Sequence, residues 1–468
     1  MRTKRLFSFL FVCFAWYCLS IMSAGCAQIG TPTGGPKDTT PPRLLKASPP
    51  PGTTNFKGNR ITFTFDEYVN LQEVQNNFLA SPLPKINPQV DFKLKTVTVK
   101  LKDSLLPNTT YTLNFGNAIR DNNENNPLKN FTYVFSTGNF IDSLRLTGNV
   151  ILAETGRTDS TVAALLYRNL DDSAVRKTKP DYLSRLDGKG NFLFTNLAPG
   201  RYNVFALKDM DGGKTYNSKS EVFAFAGKPI TVSANTAPVN LYAYAEEKPK
   251  KKIAEQVPVK NTNSLKKLSV TTAAVTQNQD LLDSLELLFS KPLKKFDTGK
   301  ITLADTGFTK HIPFTARLDS NRKKLTLAVK WEEDKVYRLI LDPAAFTDTS
   351  GNTLSRKDTL RFRTKKEADY GNLVLRFSHL DLTKHLVLQF VQGEDLRASY
   401  PLTSNEWSMK LFKPGEYDLR ILFDSNNNGK WDPGDYTKKI QPEKVISLPD
   451  KLGIRANWDN ERDIKLKE

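Results

Sequence analysis

Between Asp424 and Asp435 the chain sets oxygen-bearing side chains at the spacing a hard cation requires. With Asp424 as position one, Asn426, Asn428, Asp432 and Asp435 fall at three, five, nine and twelve, with Gly429 at six and Lys430 at seven. In a twelve-residue Ca²⁺ loop these positions supply the ligands, position seven through its backbone carbonyl, and glycine at six permits the sharp turn. Asp435 stands where such loops carry a longer, bidentate glutamate, and strands rather than helices are expected on either side. Three carboxylates predict weak affinity, on the order of 10⁻⁴–10⁻³ M. The competing expectation is an Asn/Asp/Gly hairpin whose side chains hydrogen-bond their own turn. A matching stretch, Asp209-Met210-Asp211-Gly212-Gly213-Lys214-Thr215-Tyr216-Asn217, lies 215 residues earlier, lacks several of these oxygens, and is expected to be a turn. Trp431, inside the first loop, would stack on a sugar ring if exposed and is the candidate ligand-binding aromatic; for Trp331, Trp407 and Trp458 core or interface packing is expected.

Other chemistry is sparse. Gly213-Lys214-Thr215 resembles the end of a phosphate-binding loop, but Lys208 stands where the upstream glycine belongs and no helix is predicted to follow. His311, His379 and His385 have neither zinc-protease spacing nor a nucleophile-elbow partner. Asp66-Glu67 and Asp171-Asp172 are chain neighbours, which on a strand face opposite sides and so do not share a substrate. No catalytic residue is assigned, and the chain is read as not an enzyme.

The N-terminus is a leader. Arg2, Lys4 and Arg5 precede an apolar run at 6–22, the order of a secretory signal. These seventeen residues would reach about 25 Å as a helix, short of a hydrocarbon core of about 30 Å. Ser23-Ala24-Gly25-Cys26 follows, and removal of 1–25 would take Cys13 and Cys18 with it, leaving Cys26 as the one thiol and no intrachain disulfide. This arrangement resembles the signal of bacterial lipoproteins, of Bacteroidetes type, which implies a lipid on Cys26 and a membrane partner. Ser23 departs from the usual leucine; cleavage without lipid, or an uncleaved anchor, is the alternative. Ala27 is not the aspartate of inner-membrane retention, and no acidic cluster follows as in surface-exported members. Outer-membrane anchoring is therefore expected, with the leaflet open. Residues 26–42, rich in Gly, Pro and Thr, form a tether.

With 68 Lys+Arg against 50 Asp+Glu the net charge is +18, which suits anionic headgroups or acidic glycans or is simply a solvated surface; nucleic acid is not expected for an exported chain. Alternation such as Arg60-Ile61-Thr62-Phe63-Thr64-Phe65, punctuated by turn clusters, predicts an all-β chain of tandem sandwiches. Two repeats order it. Ile61–Phe65, Thr96–Leu101, Tyr111, Asp121 and Phe135-Ser136-Thr137 return as Leu285–Phe289, Lys324–Leu327, Tyr337, Asp348 and Phe362-Arg363-Thr364, an offset of 224 to 228. Ala198-Pro199-Gly200-Arg201-Tyr202 returns as Lys413-Pro414-Gly415-Glu416-Tyr417 at 215.

The first pattern resembles bacterial Ig-like domains of surface-layer type, over 43–138 and, more divergently, 266–365. The second is similar to the transthyretin-like, carboxypeptidase-regulatory-like sandwiches, over 144–245 and 370–464. A Lys-rich linker at 246–265 would join the halves of this A-B-A-B array, and an elongated rod is the expected form. The reading is a non-catalytic, lipid-anchored envelope protein that binds or scaffolds envelope proteins or glycans, of unknown oligomeric state. The alternative is an accessory of an envelope hydrolase or peptidase.

Overall fold

The computed structural model describes residues 16, 37–247, 267–275, 278–308 and 310–466. Cys26, the leader apart from residue 16, most of the tether and the lysines at 248 and 250–252 lie outside the described residues. The described chain is nearly all β, and it divides into two compact units, Met1–Asp142 and Ser143–Glu468.

In the first unit, the antiparallel sheet runs in the order Leu44–Ser48, Arg60–Phe65, Thr96–Lys100, Gln89–Lys93. Alternate side chains of a strand point to one face, so Ile61, Phe63 and Phe65 are fully buried while Thr62 and Thr64 are not. A second sheet, Leu79–Ser81, Thr110–Asn114, Thr132–Ser136, closes the sandwich. Edge-to-face contacts join the two layers, with the Phe63 ring 5.4 Å from Phe115 and 5.1 Å from Tyr133. Polar groups at the sandwich ends are satisfied locally. The Tyr111 hydroxyl accepts from the Leu106 amide at 2.7 Å, and Thr137 Oγ1 accepts from the Thr109 amide at 3.0 Å. Asp121 is buried and accepts from the amides of Glu124, Asn125 and Asn126. Burial pulls its carboxyl upward, but those amides outweigh it and hold the group below the usual carboxylate range.

The same strand order recurs within the second unit: Val270–Thr271, Leu285–Phe289, Lys324–Ala328, Thr315–Leu318, opposed by Ile301–Asp305, Val336–Leu341, Asp358–Arg363. Its local clasps recur too. The Tyr337 hydroxyl accepts from Glu332, Thr364 Oγ1 accepts from Lys335, and buried Asp348 accepts from Ser350 and Asn352.

Two further sandwiches share a second topology. One pairs Asn191–Leu197, Leu144–Leu152 and Val239–Ala243 against Tyr182–Arg185, Ala163–Tyr167, Gly200–Leu207 and Phe223–Phe225. The other pairs Glu406–Phe412, Gly371–Ser378 and Asp459–Lys465 against Asp395–Pro401, Leu386–Gln392, Gly415–Phe423 and Lys444–Ser447. In each, the first and last strands pair in parallel. The turn tyrosine of each is buried and ties down its own loop, Tyr202 to the Ala198 carbonyl at 2.9 Å and Tyr417 to the Lys413 carbonyl at 3.0 Å. Within the second unit the sandwiches are not strung end to end as the rod expectation had it, because 370–464 folds back onto 144–245 through the loop that carries Asp424.

Candidate functional site

Each of the two related sandwiches crosses from one strand to the next through a polar loop. One leaves Gly200–Leu207 and re-enters at Phe223–Phe225; the other leaves Gly415–Phe423 and re-enters at Lys444–Ser447. Both are built around an aspartate cupped by loop amides. Asp209 accepts from Gly212 at 2.9 Å and Lys214 at 3.1 Å; Asp424, 1% exposed, accepts from Asn428 at 3.1 Å and Gly429 at 2.6 Å. A glutamate closes each loop. Buried Glu221 accepts from the Asn217 and Ser218 amides, and buried Glu443 accepts from Ser425 and, at 3.0 Å, from the Asp432 amide. Between them lies an acid–amide pair six residues apart with its order reversed. Asp211 accepts from Asn217 Nδ2 at 2.6 Å, whereas Asn426 Nδ2 donates to Asp432 at 2.6 Å.

Asp209, Asp211 and Glu221 bring one oxygen each to within 4.8 Å of one another, the one such group of metal-capable side chains among the described residues. The Asn217 side-chain amide and then the Gly213 amide hold the Asp211 carboxyl below its ordinary range. Thus the loop read from sequence as a plain turn is where carboxylates gather. In the other loop, Asp424, Asn426, Asn428 and Asp432 converge, Asn428 Nδ2 also reaching Asp432 at 2.6 Å. The Lys430 amide donates to Asn428 Oδ1. Asp435 does not join them: its carboxylate accepts from the Lys438 amide and pairs with that lysine at 3.1 Å. Glu443 takes the closing place that sequence spacing had given to Asp435. A fixed twelve-residue window missed Glu221 and Glu443; the legible signal was a glutamate at the end of each loop, just before the chain re-enters the sheet.

Residues 433–442 project from the second loop onto the sandwich of residues 144–245. Tyr436, 3% exposed, seats its ring among Phe205, Tyr216, Phe223 and Phe225, at 5.9, 6.2, 5.0 and 5.1 Å. Its hydroxyl donates to the Asp172 carbonyl at 2.8 Å, and Lys439 reaches the Asp172 carboxylate at 2.6 Å while lying over the Tyr436 ring. Arg157 pairs with Asp418 at 2.8 Å, and the Val445 amide donates to the Ala153 carbonyl at 3.1 Å. Gly156 makes this approach possible, since a Cβ there would stand 2.7 Å from the Val445 carbonyl and 2.6 Å from the Ser447 amide. Burial pushes the Tyr436 phenol well above its ordinary value.

Trp431 belongs to this joint. Its ring is half-buried against apolar residues of both sandwiches, and Nε1 donates to the Glu443 carbonyl at 2.8 Å. Trp331 is buried and Trp407 packs on Phe390 and Tyr400, whereas Trp458 is 59% exposed and lies in no core of this chain. The three histidines are exposed, Asp66 pairs with Arg43, and Gly213-Lys214-Thr215 lies in a loop with no helix after it.

Residues 38–137 match the sequence family described as a bacterial Ig-like domain. No curated protein matches the chain. Among solved structures, the N-terminal part of the bacterial S-layer protein SbsC is similar at 13% identity and a TM-score of 0.21, over 40% of this chain and 45% of that one. This chain thus spans under half of that structure's length. An Escherichia coli alpha-2-macroglobulin fragment aligns at 14% identity and a TM-score of 0.20, over 39% of this chain and 72% of that one. The major pilin subunit BcpA of Bacillus cereus aligns at 10% and 0.17, over 69% and 99%.

Proposed function

We propose that this chain is a non-catalytic protein of the bacterial cell envelope, held at the outer membrane by a lipid on Cys26, whose sandwiches scaffold or bind envelope proteins or glycans. The observation that carries the reading is the use made of the richest polar loop: residues 424–443 lock one sandwich onto another through Tyr436. Side chains that could have lined a cleft are spent on turns and on that joint. The Ig-like match over 38–137 supports an envelope role, and the turn tyrosines and parallel strand pairs support two transthyretin-like sandwiches alternating with two Ig-like ones.

Cell fractionation tests the anchor. Cys26→Ala should move the protein from the membrane to the soluble fraction, and retention at the membrane would refute it. Protease accessibility on intact cells, against a periplasmic control, assigns the leaflet. Hydrolysis of peptidoglycan or glycans by the purified protein would favour the hydrolase or peptidase-accessory alternative.

Ca²⁺ belongs to this proposal, with its acidic ligands reassigned to the gathered carboxylates Asp209, Asp211 and Glu221. Calorimetric titration should show weak heats at millimolar Ca²⁺, and a flat trace would remove the ion from the account.

A further inference from the structure

We propose that the hairpin tip at residues 92–95, with Tyr68 beside it, is a contact surface for the lipid bilayer; this rests on the reading of Cys26 as the lipid-bearing residue. Phe92, Lys93, Leu94 and Lys95 are consecutive and all exposed where Gln89–Lys93 turns into Thr96–Lys100. Leu94 is 63% exposed and has a φ of +55°, and Tyr68 is 55% exposed. Left-handed backbone in a two-residue hairpin turn suits Asn or Gly; a bulky leucine there carries a conformational cost. Burial within the first unit does not offset it, because the side chain points to solvent.

Hydrogen bonds weld the patch together. Lys95 Nζ lies 5.6 Å from the Tyr68 ring centroid and donates to the Asp66 carbonyl, while the Leu94 carbonyl accepts from Val69. The segment that leads back to Cys26 leaves at this same end. The Asp38 and Thr40 carbonyls accept from Asn126 Nδ2, and the Asn122 amide of that loop donates to the Tyr68 carbonyl at 3.0 Å. Residues 26–36 number eleven, and eleven residues span at most about 40 Å. A lipid at Cys26 therefore tethers the first unit by the end that carries the tip.

The side-chain mixture matches a bilayer interface. Phenylalanine and leucine enter the headgroup boundary, while Lys93 keeps its ammonium group in water and Lys95 holds its own on the Asp66 carbonyl. Asp38, Asp66, Asp121 and Glu124 surround Glu67 at this end, beside the basic Lys93, Lys95 and Arg43, so attraction must come mainly from apolar contact and depend little on salt. The tip would act as a second, orienting signal beside the lipid.

The test uses the mature chain carrying Cys26→Ser, mixed with vesicles of phosphatidylethanolamine and phosphatidylglycerol and with vesicles of phosphatidylcholine. It should cosediment weakly with both at low and high salt. Adding Phe92→Ser and Leu94→Ser should lower partitioning about tenfold with an unchanged circular dichroism spectrum, whereas Leu396→Ser, an exposed leucine of the second unit, should leave it unchanged. Absence of vesicle binding, equal binding by the double variant, or self-association through the tip without vesicle binding would each overturn the proposal. Fractionation of the native chain with and without Cys26 reads the anchor separately, so failure of the tip leaves that reading standing.

Discussion

Three residues separate Asn217 from Glu221 in the sandwich of residues 144–245, and ten separate Asp432 from Glu443 in that of residues 370–464. Up to Asn217 and Asp432 the loops correspond, and both glutamates accept from the amide at that corresponding position, while their second donors differ, Ser218 in one loop and Ser425 in the other. The clasp is common to both crossings, as a polar loop between two buried strands must satisfy its own amides. The difference of seven residues carries Tyr436 and Lys439, and with them the joint between sandwiches. The comparison teaches that the shared part of the loop serves its own fold, while the inserted part serves a neighbour.

The largest expected effect comes from emptying the aromatic cup. Tyr436→Ala should destabilise the second unit by about 3–5 kcal/mol and split its urea transition, whereas Tyr436→Phe, which loses only the bond to Asp172, should cost about 1 kcal/mol. A single unshifted transition for the alanine variant would show that the insertion does not hold the sandwiches together. Gly156→Ala comes next, at about 2–3 kcal/mol, because its φ of +67° is compounded by the backbone of Val445 and Ser447. Its counterpart for comparison is Gly212→Ala in the shorter loop. There φ is +82° with nothing near the added carbon, so about 1 kcal/mol is expected. Equal costs at the two glycines would deny that close approach matters.

Smaller effects sharpen the likeness of the loops. Glu221→Gln and Glu443→Gln should each cost about 1–2 kcal/mol, and a marked inequality would mean that the two closing carboxylates do different work. Exchanging the acid and amide in the first loop, Asp211→Asn with Asn217→Asp, should leave the thermal midpoint nearly unchanged, since the second loop already has that order. Acid titration gives the finest reading. A carboxyl held below its unfolded value of 3.8 stabilises the fold above that pH, and the contribution is lost as pH falls through the lower folded value. Asn217→Ala should raise the Asp211 midpoint toward 3.8, followed by side-chain carbon NMR; an unmoved midpoint would assign the depression elsewhere.

Much of the fold was legible because strand alternation is a local property. Ile61, Phe63 and Phe65 were assigned to one face by period two alone, and the offsets linking Tyr111 to Tyr337 and Tyr202 to Tyr417 fixed which strands correspond. The loops were less legible. Counting twelve positions from Asp424 found Asn426, Asn428 and Asp432, but it gave Asp435 the role that Glu443 holds and passed over Glu221. A window of fixed length cannot see across an insertion, whereas the sheet brings the far end of the loop back whatever its length.

By itself, the sequence determined the β character, the places of the turns and the pairing of repeats, because burial alternation and turn chemistry act over a few residues. Only the tertiary structure decided that Tyr436 fills a cup of aromatics more than two hundred residues away in the chain, that Trp431 is held in that joint, and that Trp458 and Leu94 face solvent. Those outcomes depend on which apolar faces remain uncovered after each sandwich has closed, a quantity set by packing between distant segments and carried by no local pattern.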